Sequence, residues 1–258
     1  MLDVELFAAT DTERAAEVFH RDGFVVIKDA LNAEQLATAR RGADRVIAEQ
    51  MAAVDPAKAN RGLWRYSFGQ QLQHPEWQML VDLDTVLPTV DAIWASKDYT
   101  CSGAGGDYSA PGAKIQALHS DMGEMIHDPR GHASIRDLPA PFIVVNFPLV
   151  DFTVENGATR FVPCTQRSRE RIPTIEEEPL WMQQNYLCAP AGSALVRDVR
   201  CWHGGSENRS DIIRPMVSVG YFAPWYSRPS IASTALTREQ WLALSPRAQT
   251  LCRYQVHT

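Results

Sequence analysis

From Lys97 to Pro224 the chain is cut into short apolar segments by turn-forming residues. KDYTCSGAGGDYS, GAKIQALHSD, FIVVNFPLVDF, ATRFVP, QNYLCAP, SALVRDV and RPMVSVGYFAP carry β-branched or aromatic residues and are bounded by Gly, Pro, Asn or Asp. Strands at this spacing, with turns between them, predict a sandwich or a closed barrel. The residues before Lys97 have a different texture. TERAAEVFHRDG has helical apolar spacing and stops at Gly23, and FVVIKDA follows as a short buried strand. Asn32, with Gln35 three residues on, predicts a capping box for the helix AEQLATARRGADRVIAEQ. A second helical stretch is expected from about Glu76 to Ser96, kinked or divided by Pro88, and TREQWLALS returns to helix. The expected organisation is one domain over the 258 residues: a mainly helical part over about 1–97, a β core over about 98–225, and a C-terminal helical tail.

Charge and cysteine usage narrow the function classes. A net charge of −6 excludes nucleic acid or an acidic membrane surface as the main partner, because both need a concentrated basic face. Arg160, Arg167, Arg169 and Arg171 gather in one region, and read as a solvated loop. The five cysteines are odd in number, widely spread and free of any C-x-x-C pair, so neither a disulfide framework nor a zinc ribbon is expected. The start, MLDVELFAATDTER, lacks the positively charged region of a secretory signal, and no apolar run approaches the ~18 residues of a membrane helix. The expected setting is reducing and cytoplasmic. No oligomeric state follows from these patterns.

The chemistry begins at QALHSD. If KIQALHSD is a strand, His119 and Asp121 point to the same face and their side chains converge. Alone this H-x-D pair is a weak signal in a chain with seven histidines. His20, His74, His127, His132 and His257 lie in helical, loop or terminal contexts with no supporting pattern. His203 differs, since it ends the strand region SALVRDVRCWH before a Gly-Gly turn. Two histidines and one carboxylate make the facial set of a non-haem Fe(II) oxygenase, and zinc with a bound water fits the same ligands. Arg214 separates these readings. It opens the strand RPMVSVGYF, and a turn through GGSENRSDII brings it back toward His203. A guanidinium fork beside such a metal suits the distal carboxylate of a dicarboxylate such as 2-oxoglutarate.

QALHSD, VNFPLVDFTVENGATRFVP and RDVRCWHGGSENRSDIIR, in this order, resemble the phytanoyl-CoA dioxygenase-like family of Fe(II)/2-oxoglutarate-dependent oxygenases. FHRDGFVVIKDALNAEQLATAR is similar to the opening strand and helix of that family, so the resemblance runs from about Phe19 to Pro224. It implies a double-stranded β-helix (a jelly-roll, cupin-like core) with flanking, mainly N-terminal helices. It also implies Fe(II) on His119, Asp121 and His203, and 2-oxoglutarate and O2 as co-substrates, with Arg214 on the distal carboxylate. Gln116 and Thr159 match family positions that contact 2-oxoglutarate, although Gln116 needs a twist or bulge to face the site. Arg61 or Arg65 is a further candidate contact. Two departures stand out: Cys164-Thr165-Gln166 replaces the usual Gly-Ser-His, and Met216 stands where many relatives have serine, with Ser218 as the candidate substitute. Halogenating members of this chemistry vacate the carboxylate position, so the intact Asp121 favours oxygenation.

The implied reaction is oxidation of a C–H bond of a small organic substrate, most simply hydroxylation, with 2-oxoglutarate decarboxylated to succinate. A natural-product or amino-acid-type metabolite is the expected substrate class, since the sequence shows no basic site for a CoA phosphate. Tyr66, Tyr108, Met122, Met125, Trp202, Trp225 and Tyr226 are candidate pocket residues that equally suit a core, and Glu124 and His127 are candidate polar contacts. The alternatives are a non-catalytic metal- or ligand-binding jelly roll and a zinc hydrolase on the same ligands.

Overall fold

Nine strands carry the fold: β1 (Leu6–Phe7), β2 (Phe24–Ile27), β3 (Arg65–Ser67), β4 (Thr100–Ser109), β5 (Phe142–Pro148), β6 (Arg160–Val162), β7 (Ala194–Asp198), β8 (Trp202–Gly204) and β9 (Arg214–Phe222), among the described residues. In this computed structural model, which describes residues 2–226 and 235–256, they form two sheets. The larger has seven strands in the order β1-β2-β7-β5-β9-β4-β3, and β6 pairs with β8 in the smaller. Together they make the double-stranded β-helix that the resemblance implies.

Alternation along the central strands decides what each face does. Ile143, Val145 and Phe147 of β5, Ala194 and Val196 of β7, and Val217, Val219 and Tyr221 of β9 are buried in one core. Helix α1 (Thr12–Asp22), α2 (Ala33–Ala53) and α4 (Leu87–Trp94) cover that face with Phe19, Val46, Ile47, Leu87 and Val90. Each such side chain contributes about 1.5–3 kcal/mol on burial. The intervening residues of the same strands, among them Asn146, Arg197 and Ser218, look into a cavity between the sheets.

Local signals in the N-terminal part act as the sequence predicts. Gly23 ends α1 in the left-handed region at φ 89°, and the Asn32–Gln35 capping box opens α2. Pro88 behaves differently from the expectation. It sits in the first turn of α4 and starts that helix, while a separate short helix, α3 (Pro75–Gln78), lies upstream. Proline lacks an N–H that the first turn would leave unpaired, so it favours this position over a helix interior.

KIQALHSD also departs from the expectation, because it does not form a continuous strand. His119 exchanges main-chain hydrogen bonds with His203 at 2.9 and 3.0 Å, but the ladder breaks on either side. The Leu118 N–H goes to the Glu178 carboxylate at 3.2 Å, and the Gln116 carbonyl accepts from Arg160 at 2.5 Å. QNYLCAP likewise contributes isolated bridges at Tyr186 and Ala189 and no strand. The Cys164-Thr165-Gln166 departure has a structural use. The Thr165 hydroxyl accepts the Trp202 N–H at 2.9 Å and Gln166 donates to His20 O at 2.9 Å, tying this turn to β8 and α1.

Arg160 and Glu178 pair with both side chains fully buried, and together they hold residues 116–118 against β8. Arg160→Met is expected to cost about 3–5 kcal/mol, because it leaves a buried carboxylate without its cation. Chemical denaturation measures this, and a loss below about 1 kcal/mol would show that the pair contributes little to stability.

Candidate metal and co-substrate site

The two histidines meet through the small sheet. His203 lies on β8 opposite Phe161 of β6, and His119 bridges to it from the other side. The imidazole centroids are 4.4 Å apart, and the Phe161 ring stacks on His203 at 5.5 Å. Each ring is oriented by a carbonyl: His203 Nδ1 lies 2.9 Å from Cys201 O, and His119 Nδ1 lies 3.2 Å from Ala117 O. A carbonyl only accepts, so Nδ1 carries the proton in both rings and Nε2 presents a lone pair. Asp121 completes the group, with Oδ1 3.7 Å from His119 Nε2 and Oδ2 3.6 Å from His203 Nε2. One ligand atom from each of the three residues lies within 4.8 Å of the others. Two neutral imidazoles and an ionised carboxylate suit a divalent transition metal.

Electrostatics keep His203 neutral and Asp121 ionised. Burial first, and then the Arg197 cation, hold His203 down to about 3, so it stays neutral. Burial is the strongest single influence on Asp121 and opposes its ionisation, but the groups around it, Arg197 foremost with Nη1 2.7 Å from Oδ2, together hold the carboxyl well below the usual range.

Behind this group lies a cavity of about 400 Å³. Arg214, at the start of β9, reaches it from a buried position opposite Ser109 of β4. Its Nε donates to Ser109 Oγ at 3.2 Å and its guanidinium lies 4.5 Å over the Phe152 ring. Nη1 is buried with no hydrogen-bond partner among the described residues. Burial, then Arg65, pull Arg214 down to about 9, as expected of a cation awaiting an anion.

The other expected residues divide. Thr159 is buried and lines the cavity. Gln116 also lines it, but its amide is engaged: Nε2 donates to Arg61 O at 3.1 Å and Oε1 accepts the Gly205 N–H at 3.0 Å. A Cβ on Gly205 would come within 2.6 Å of that oxygen and 2.4 Å of Arg65 Nη1, so glycine permits the brace. Arg65 donates to Lys114 O and Ser206 O, which assigns its guanidinium to loop carbonyls. Arg61 sits at the cavity wall with Nε 3.3 Å from Asp107 Oδ1. Ser218 and Met216 both line the cavity, on the β9 face that carries Arg214.

Glu124, His127 and Trp225 do not line the cavity. Glu124 instead staples its own loop, accepting from Ser134 Oγ at 2.5 Å and from the N–H groups of Ile126 and Ile135. Of the aromatic and methionine candidates, Tyr108 reaches the cavity, while Tyr66, Met122 and Trp202 are core residues. His257 lies outside the described residues. Arg197 and Asp107 are cavity residues that the sequence reading did not single out. The available signal for Arg197 was its place two residues after Leu195 in SALVRDV, a charge on one face of a buried strand.

Fold and site together define a jelly-roll protein with a two-histidine, one-carboxylate centre and a buried arginine at the back of its cavity. The sequence matches the phytanoyl-CoA dioxygenase (PhyH) family over residues 19–216. The chain belongs to that family of Fe(II)/2-oxoglutarate-dependent oxygenases. It is 29% identical over 163 residues to the dioxygenase andF of Emericella variicolor, covering 61% of this chain and 53% of that protein. It is 32% identical over 149 residues to the dioxygenase af480 of Aspergillus fumigatus, covering 55% and 43%. The chain thus spans about half the length of these curated relatives. Its fold is similar to that of the epimerase SnoN from nogalamycin biosynthesis, solved with Fe3+, alpha ketoglutarate and nogalamycin RO. That likeness has a TM-score of 0.64 at 17% identity, covering 83% of this chain and 84% of SnoN. Among the described residues, no helix is long and apolar enough to cross a membrane.

Proposed function

We propose that this protein is an Fe(II)- and 2-oxoglutarate-dependent dioxygenase that oxidises a C–H bond of a small organic molecule, with His119, Asp121 and His203 as the metal ligands. The observation that carries the reading is the meeting of those three donors with an unpartnered Nη1 of Arg214 on one cavity. Three protein ligands leave the remaining positions of the metal for a bidentate co-substrate and oxygen. Bound iron supplies the oxidative chemistry, in which substrate, O2 and 2-oxoglutarate give the hydroxylated product, succinate and carbon dioxide.

The chain's own residues hold and aim. His119 and His203 offer Nε2 because their Nδ1 protons are committed to carbonyls. Arg214 takes the distal carboxylate of 2-oxoglutarate, with Thr159 as a polar contact along its length and Gln116 contributing only the amide hydrogen and lone pair that Arg61 and Gly205 leave unused. Phe142, Val144 and Leu195 line the cavity with apolar surface, which suits the carbon body of a substrate. Related proteins named as dioxygenases, and an epimerase of nogalamycin biosynthesis, support a natural-product-type metabolite as the substrate class. Hydroxylation is the simplest outcome.

Anaerobic addition of Fe(II) and then 2-oxoglutarate is expected to give a weak visible charge-transfer band, and aerobic turnover is expected to give succinate. A zinc hydrolase or a non-catalytic binding protein gives no succinate, so its absence would sink the proposal.

A further inference from the structure

One strand holds Asp121 from two sides. The Asp121 N–H donates to Val199 O at 2.9 Å, just past the end of β7, and Arg197 on β7 places Nη1 2.7 Å from Oδ2. Arg197 is itself fixed. Its Nε donates to Asn146 Oδ1 at 3.0 Å, Asn146 is buried on the neighbouring β5, and the Arg197 side chain is only 10% exposed. Asp121, by contrast, is 35% exposed at its side chain, so its carboxylate has a free side from which to turn.

We propose that Arg197 is a positioning residue for the metal site: by occupying Oδ2 it turns Asp121 so that Oδ1 is offered to the ion held by His119 and His203. This rests on the assignment of those three residues as ligands. A carboxylate free to rotate can approach a metal through either oxygen or both, and its ordering then costs binding free energy. Partners that hold the non-ligating atoms of a ligand remove that cost. Plain electrostatics argues the other way, since a guanidinium repels a divalent cation and its removal should tighten binding. The two effects have opposite signs, so one measurement decides between them. Arginine suits the role because its planar fork engages Asn146 and Asp121 together, whereas lysine offers a point charge on a flexible stem.

The test is calorimetric titration of the full chain with Mn(II), for wild type, His119→Ala, Arg197→Met and Arg197→Lys, with thermal denaturation to establish that each is folded. His119→Ala is expected to lose binding. Arg197→Met is expected to weaken the Mn(II) Kd by about 10–100-fold, and Arg197→Lys to recover part of that loss. The Mn(II) electron paramagnetic resonance signal is expected to broaden in Arg197→Met as the ligand set becomes heterogeneous. If Arg197→Met binds Mn(II) as tightly as wild type, or more tightly, the proposal is overturned. Should Arg197→Met not fold, Arg197→Gln shortens the side chain so that Asp121 Oδ2 loses its partner, and an unchanged Mn(II) affinity there overturns it equally. A wild-type protein that does not bind Mn(II) removes the ligand assignment itself, which is a different failure from a wild type that binds and an Arg197→Met that is unaffected.

Discussion

Replacing His119 by alanine is expected to abolish metal binding and to lower succinate formation from 2-oxoglutarate by on the order of 10³-fold, about 4 kcal/mol at the transition state. The choice among the three ligands follows from burial. His203 is buried between the Phe161 and His119 rings, so truncating it mixes loss of a ligand with loss of core packing. The His119 side chain is 44% exposed, and what ties residue 119 to β8 is its main chain, through the paired hydrogen bonds with His203. Alanine keeps both of those bonds. The folded protein should therefore survive with its stability changed by less than about 1 kcal/mol, and loss of turnover then reports on the site. Asp121→Asn is a useful partner, since it keeps the shape and removes the charge. Full succinate production by His119→Ala would end the assignment. Mn(II) binding by wild type without any succinate would favour the binding-protein alternative instead.

How much of this was legible in the sequence depends on whether the controlling interaction is local. Gly23 and the Asn32–Gln35 box act within one helix turn, and the sequence reading placed both. The β-branched and aromatic residues of FIVVNFP and RPMVSVGYF, set between turn formers, are also a local signal; they predict strands, and both strands line the cavity. KIQALHSD was misread as a regular strand because what interrupts it comes from elsewhere. The buried Arg160–Glu178 pair binds the Gln116 carbonyl, and it binds the Leu118 N–H from the edge that faces away from β8. Pro88 is a start and not a break, because its missing N–H suits the first turn of a helix, a local signal that its neighbours in the sequence left ambiguous. For the site, the order of H-x-D, distal histidine and arginine was enough to choose His203 from the other histidines. The same pattern could not show that the Gln116 amide is already bridging Arg61 and Gly205. Nor could it show Arg197 against Asp121, because residues 121 and 197 become neighbours only once β7 and β8 are in place.

Arg214→Leu is expected to raise the KM for 2-oxoglutarate by about 100-fold with a smaller fall in kcat, while leaving the ligand-free protein no less stable. The two halves of this expectation share one cause. Arg214 is buried, Ser109 satisfies one N–H, the Phe152 ring faces its plane, and Nη1 has no protein partner among the described residues. A buried guanidinium in that state costs folding free energy, and leucine removes the cost while filling part of the volume. The same Nη1 is free to donate to a carboxylate, and charge-assisted hydrogen bonds are worth about 1.5–3 kcal/mol each, so losing a pair weakens binding by two orders of magnitude or more. A purely structural arginine would behave in the opposite way, losing stability and leaving KM unchanged. Arg214→Lys keeps a positive charge without the fork and should recover only part of the affinity. Steady-state kinetics in 2-oxoglutarate together with thermal denaturation would read both halves at once. An unchanged KM would move the distal carboxylate to another cation of the cavity, Arg61 or Arg197. The co-substrate would then approach the His119, Asp121 and His203 donors from the β7 side or from the mouth, and the face left open to substrate would change with it.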